Sequence, residues 1–182
     1  MIDLASGRVC GARQHDSPNC DRRPAGTEVG LLVIHSISLP PERYGGPYID
    51  ALFTNTLDCS ADPYFEGLRG LKVSAHLLIR RDGELVQYVP LHRRAWHAGV
   101  SCFQGRERCN DFSIGIELEG CDSQCFTEAQ YQRLIPLCQA LLESYPGLSP
   151  ERIVGHSDIA PGRKTDPGPN FDWQRLLAAL RA

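Results

Sequence analysis

Nowhere in its 182 residues does the chain run apolar for anything near the roughly 20 residues that a membrane span requires. It has no CxxC pair, no HExxH and no block of like charges; the formal net charge is only −3. A small charge with scattered basic residues gives neither a nucleic acid nor an anionic membrane a surface to hold. The first ten residues, MIDLASGRVC, show no cationic start followed by an apolar stretch, so no export signal is expected. These absences lead to the expectation of a soluble protein retained in the cytoplasm. The eight cysteines (10, 20, 59, 102, 109, 121, 125 and 138) are then expected as reduced thiols rather than a disulfide framework, which belongs mostly to short secreted domains.

At this length one domain with a real core is expected over residues 1–182, with 1–29 as an extended, turn-rich lead-in. Gly30-Leu31-Leu32-Val33-Ile34-His35 is a short continuous apolar run ending in a polar residue, the pattern of a strand covered on both faces. A short helix is expected over 48–55. Residues 73–89 read as a hairpin around Asp82-Gly83. In 112–118, Phe112, Ile114, Ile116 and Leu118 share one face, while Ser113, Gly115, Glu117 and Glu119 share the other. Thr127-Glu128-Ala129-Gln130 fits a capping box opening a long helix. Ile153–His156 reads as a further strand, and Asp172 as the cap of a last helix. The fold class expected is mixed α+β, a central mixed sheet flanked by helices.

The stretch His156–Pro169, HSDIAPGRKTDPGP, carries an imidazole, a cation and a carboxylate among prolines and glycines. So stiff a segment, lacking apolar periodicity, suits a fixed constellation better than a core. His35 and His156 each end an apolar strand, where sheets of this kind give way to solvent. Two histidines and a carboxylate form a familiar catalytic zinc set, and His35, His156 and Asp166 fit it; both histidines fit strand-end caps as well. His76 and His97 are rival ligands. Glu117 and Glu119 both fit a general base, or carboxylates paired with arginine. Lys164, two residues before Asp166, would point the same way from an extended loop. Trp96 suits a stacking platform or the core, and the run 105–108 suits a carboxylate grip or a solvated loop.

Five segments taken together, HSISLPP (35–41), SAHLLIRRDG (74–83), RAWHAGVS (94–101), CNDFSIGIELEG (109–120) and HSDIAPGRKTDPGP (156–169), resemble the zinc-dependent N-acetylmuramoyl-L-alanine amidases. Within these they are most similar to the cytosolic branch acting on anhydro-muropeptides. The resemblance implies one Zn2+ per chain held by His35, His156 and Asp166, Glu117 as catalytic carboxylate and Lys164 as transition-state stabiliser. It also implies Trp96 and Arg108 as substrate contacts. Ser36 and Lys72 stand where the family more often has Asn and Arg, which bears on how the peptide stem is gripped. The implied reaction is hydrolysis of the amide joining (1,6-anhydro)-N-acetylmuramic acid to L-alanine, in peptidoglycan recycling. The alternatives are a non-catalytic muropeptide-binding module of the same fold, and a zinc peptidase cutting within the stem.

Overall fold

The apolar run from Leu31 lies at the heart of a six-stranded mixed sheet in the computed structural model, which describes residues 2–181. The strands are β1 (Arg13–Gln14), β2 (Leu31–Ile37), β3 (Leu77–Ile79), β4 (Leu85–Gln87), β5 (Ser113–Glu119) and β6 (Ile153–Gly155). Their order is β6-β2-β5-β3-β4-β1. The pairs β6/β2, β2/β5, β5/β3 and β4/β1 are parallel, and β3/β4 is the antiparallel hairpin expected from Asp82-Gly83. Parallel strands are covered on both sides, which is why Leu31–His35 and all of β5 are buried.

Helices cover both faces, as the pattern implied. One face carries Leu32, Ile34, Ile114, Ile116 and Leu118 beneath α2 (Glu128–Ser144) and α4 (Trp173–Arg181). The capping box at Thr127 and Gln130 opens α2, whose Leu134, Cys138 and Leu141 are fully buried. Pro136 leaves α2 continuous because it sits on the exposed side, where the carbonyl it cannot bond faces water. Asp172 Oδ1 accepts from Arg175 N at the start of α4. The other face is partly covered by α1 (Tyr48–Phe53), through Ile49, Leu52 and Phe53, and by the 3-10 turn Pro63–Leu68.

Two expectations need correction. The stretch 2–29 is no free lead-in: β1 extends the sheet edge, Ile2–Asp3 pairs with Arg8–Val9, and Cys20–Arg22 pairs with Arg93–Ala95. Pairings of two or three residues leave no alternation to read. The last strand also stops at Gly155, and His156 opens a one-turn helix, α3 (His156–Ile159), with Asp158 Oδ2 accepting from Gly155 N at 2.7 Å. All eight cysteines are unpaired, as expected. No helix among the described residues is long and apolar enough to cross a membrane.

Candidate active site

Register brings the two strand-end histidines together. Gly155 of β6 is aligned with Ile34 of β2, so His156 and His35 follow at one level of adjacent parallel strands. On the other side of β2, Glu117 is the register partner of His35. Asp166 comes back to this point because Ser157 N donates to its carbonyl at 3.0 Å and Pro167 packs on the strand end. A Cβ at Gly155 would stand only 2.9 Å from Pro167 Cδ, so glycine is needed for this close approach.

The result is a compact donor set. His35 Nδ1 and His156 Nδ1 are 3.0 Å apart, and each is 3.0 Å from Asp166 Oδ2. His156 Nε2 donates to the Ala98 carbonyl at 3.1 Å, leaving its Nδ1 free to turn inward. Both rings are almost wholly buried. Two imidazole nitrogens and a carboxylate oxygen converging in this way can hold a divalent cation, and the chemistry suits zinc with a position left for water or substrate.

The triad opens on a cleft of about 630 Å³ that also contains Ser36, Glu117 and Lys164. Glu117 is buried, and its Oε2 has no hydrogen-bond partner. Burial pushes its carboxyl well above the usual range, the charge of Asp166 adds to this, and Lys164 opposes it. Glu119 is committed elsewhere, accepting from Gly45 N (2.7 Å), Arg81 N (3.1 Å) and Arg80 Nη1 (3.4 Å). The unsatisfied carboxylate beside the triad is therefore Glu117 and not its rival.

The other candidates are dispersed. Trp96 does not line the cleft and lies toward Asp21. Lys72 borders a small adjoining pocket, and Arg108 pairs with Asp111 at 3.2 Å on the far side of the 99–101 turn. His76 is structural: its Nδ1 accepts from Gly115 N, and its Nε2 faces the Arg93 carbonyl. His97 is no member of the triad but touches it, with Nδ1 2.9 Å from His35 Nε2. Composition gave no sign of Tyr64 and Leu71, both about half exposed on the cleft, because neither belongs to a segment with apolar periodicity. Nor could spacing reveal Arg163, whose Nη2 donates to the Ala98 and Val100 carbonyls and clamps the turn under the triad.

The buried imidazoles set the acid limit of the metal-free protein. Burial lowers the His35 pKa to about 4, and burial together with the Arg23 cation lowers that of His76 to about 3. A lowered folded-state value means that the unfolded chain takes up the proton first. Stability is then fully present above about pH 6.5 and is lost as pH falls toward 4, at about 1.4 kcal/mol per pH unit for each such histidine. Glu117→Gln removes a buried carboxyl that titrates in the opposite sense, so urea unfolding of this variant at pH 7, 6 and 5 should show midpoints falling with unchanged slope; flat midpoints there would mean that these rings are not held neutral.

A sheet that delivers two histidines and an aspartate to one cleft, beside a free buried carboxylate, is the arrangement expected of the amidases resembled above. The N-acetylmuramoyl-L-alanine amidase family profile matches residues 25–169, and the chain belongs to that family. It is an amidase hydrolase. Its relatives include the 1,6-anhydro-N-acetylmuramyl-L-alanine amidase AmpD of Citrobacter freundii, 59% identical over 177 residues, covering 97% of this chain and 94% of the relative. The AmpD of Escherichia coli K12 is 60% identical over 173 residues, covering 95% and 94%. Among solved structures, a selenomethionine AmpD derivative superposes with a TM-score of 0.95 at 58% identity over 99% of both chains. The Escherichia coli amidase AmiD, solved with anhydro-N-acetylmuramic acid-L-Ala-D-γ-Glu-L-Lys, aligns with a TM-score of 0.61 at 34% identity, over 87% of this chain and 60% of that one.

Proposed function

We propose that this chain hydrolyses the amide between 1,6-anhydro-N-acetylmuramic acid and L-alanine in soluble muropeptides, as a monomeric zinc enzyme of cytosolic peptidoglycan recycling. The substrate is that named for its AmpD relatives, which match it over nearly their whole length. The observation carrying the catalytic reading is the pairing of a complete donor triad with the unpartnered Oε2 of Glu117 in one cleft. A module that only bound muropeptides would have no use for an unsatisfied buried carboxylate, which is costly to keep.

His35 and His156 would hold the ion through Nδ1, and Asp166 through Oδ2. When bound, zinc supplies Lewis-acid polarisation and makes water a competent nucleophile near neutral pH. Glu117 takes the proton from the attacking water and passes it to the departing L-alanine nitrogen, breaking the amide C–N bond. Its raised pKa suits it to hold the proton between these two steps. Lys164, exposed on the cleft, faces the negative charge that develops on the carbonyl oxygen and stabilises it. Ser36, also on the cleft, is placed to contact the substrate, whereas Lys72 and Arg108 border neighbouring pockets and Trp96 lines none of the three.

Incubation with anhydro-muramoyl tripeptide, followed by mass spectrometry, tests this directly. Free anhydro-N-acetylmuramic acid and intact tripeptide should appear, and a chelator should abolish both. Cleavage inside the stem would make the enzyme a peptidase, and unchanged substrate from zinc-loaded, folded protein would leave only binding.

A further inference from the structure

An imidazole offers a lone pair at Nδ1 only while its single proton sits on Nε2. For His156 the main chain settles this, since the Ala98 carbonyl facing its Nε2 can only accept. His35 is different. Its Nε2 faces another imidazole, His97 Nδ1, an atom able to play either part.

The direction is decided further out. Ser113 Oγ lies 2.6 Å from the Cys109 carbonyl and 3.0 Å from His97 Nε2. The carbonyl can only accept, so it takes the hydroxyl proton, and Oγ must then accept from His97. The His97 proton therefore stands on Nε2. Its bare Nδ1 accepts from His35 Nε2–H, which leaves His35 Nδ1 unprotonated toward Asp166 and His156. The middle of this chain is tightly framed: Asn110 Oδ1 accepts from His97 N (3.1 Å) and Ala98 N (2.8 Å). A Cβ at Gly115 would come within 2.6 Å of the His97 ring, so only glycine leaves it this seat.

From this geometry we infer that His97 is a positioning residue for the metal centre, holding His35 in its Nε2–H tautomer through a relay that ends on the Cys109 carbonyl. The inference rests on the reading that His35, His156 and Asp166 bind zinc. Ligand histidines ordinarily donate outward to a carboxylate, carbonyl or water, none of which needs its own proton fixed. An imidazole in that place works only because Ser113 fixes its proton.

Nitrogen-15 spectra of the zinc-loaded protein should show His35 and His97 both protonated on Nε2. In chelator-competition titrations, His97→Leu should weaken zinc binding about 10- to 100-fold, the usual cost of losing such a partner. His97→Asn, whose amide oxygen can replace Nδ1 as acceptor, should recover most of the loss. Ser113→Ala should weaken binding less and let part of the His97 population carry its proton on Nδ1; this variant decides the matter should His97→Leu not fold. Folded His97→Leu binding zinc within twofold of wild type, or a wild-type His97 protonated on Nδ1, would overturn the inference alone. Wild type taking up no zinc would overturn the metal reading and the inference with it.

Discussion

Glu117→Gln should keep its zinc and lose turnover by about 10²- to 10⁴-fold, the usual contribution of a positioned acid–base group. The amide is the same size and cannot carry the proton. Stability should move in the opposite direction. Burial raises the Glu117 pKa, so its protonated form favours the folded state and ionisation costs stability as pH rises above the ordinary carboxyl range. At neutral pH the metal-free variant should therefore melt higher than metal-free wild type, each ~1 kcal/mol gained appearing as about 2–4 °C. Bound zinc should narrow the gap by compensating the carboxylate. Metal analysis, turnover and melting of the same preparations test all three statements. Near-normal turnover would remove Glu117 as the base, and an unchanged melting temperature would mean that its charge is already compensated.

Asp166→Ala should abolish zinc uptake and activity together. In wild type, zinc at one hundred times its Kd adds about 2.7 kcal/mol to stability. For a protein of this size that is a rise in Tm of roughly 5–10 °C. The variant should show no such rise, because two imidazoles remain without the carboxylate that balances the ion's charge. The zinc-dependent rise should also fade in acid, as His35 and His156 must be unprotonated to bind. A variant still stabilised by zinc to the wild-type extent would place the metal elsewhere. Together the two substitutions separate the roles, one leaving an inert loaded protein and the other an empty one.

Much of this site is legible in the sequence, and the part that is not has a physical reason. The strand ending in His35 shows itself because a doubly covered strand must be apolar throughout. The hairpin and the α2 cap depend on single turn and capping residues, which a sequence displays directly. His35, His156 and Asp166 are separated by 121 and 10 positions, so no local spacing links them; a family resemblance can, and parallel register explains how they meet. Glu117 and Glu119 share a face of one strand, and nothing in their own segment distinguishes them. That distinction comes from Arg80, Arg81 N and Gly45 N, supplied by other segments, which satisfy one carboxylate and leave the other bare. The part played by His97 depends on Ser113 and a carbonyl at 109, which only the fold sets in line.

The family match begins at residue 25, yet the chain before it carries structure the rest relies on. Arg23 Nη1 donates to the Asn110 and Asp111 carbonyls, and its Nη2 to those of Leu91 and Ser113, tying down the same turn that orients His97. Arg13 bridges Asp50 and Glu84, and β1 occupies the open edge of β4. A fragment trimmed to the matched stretch would retain every proposed zinc donor while baring a sheet edge and freeing four carbonyls behind the cleft. The borders of the family profile and the borders of the folded unit thus fall at different residues in this chain.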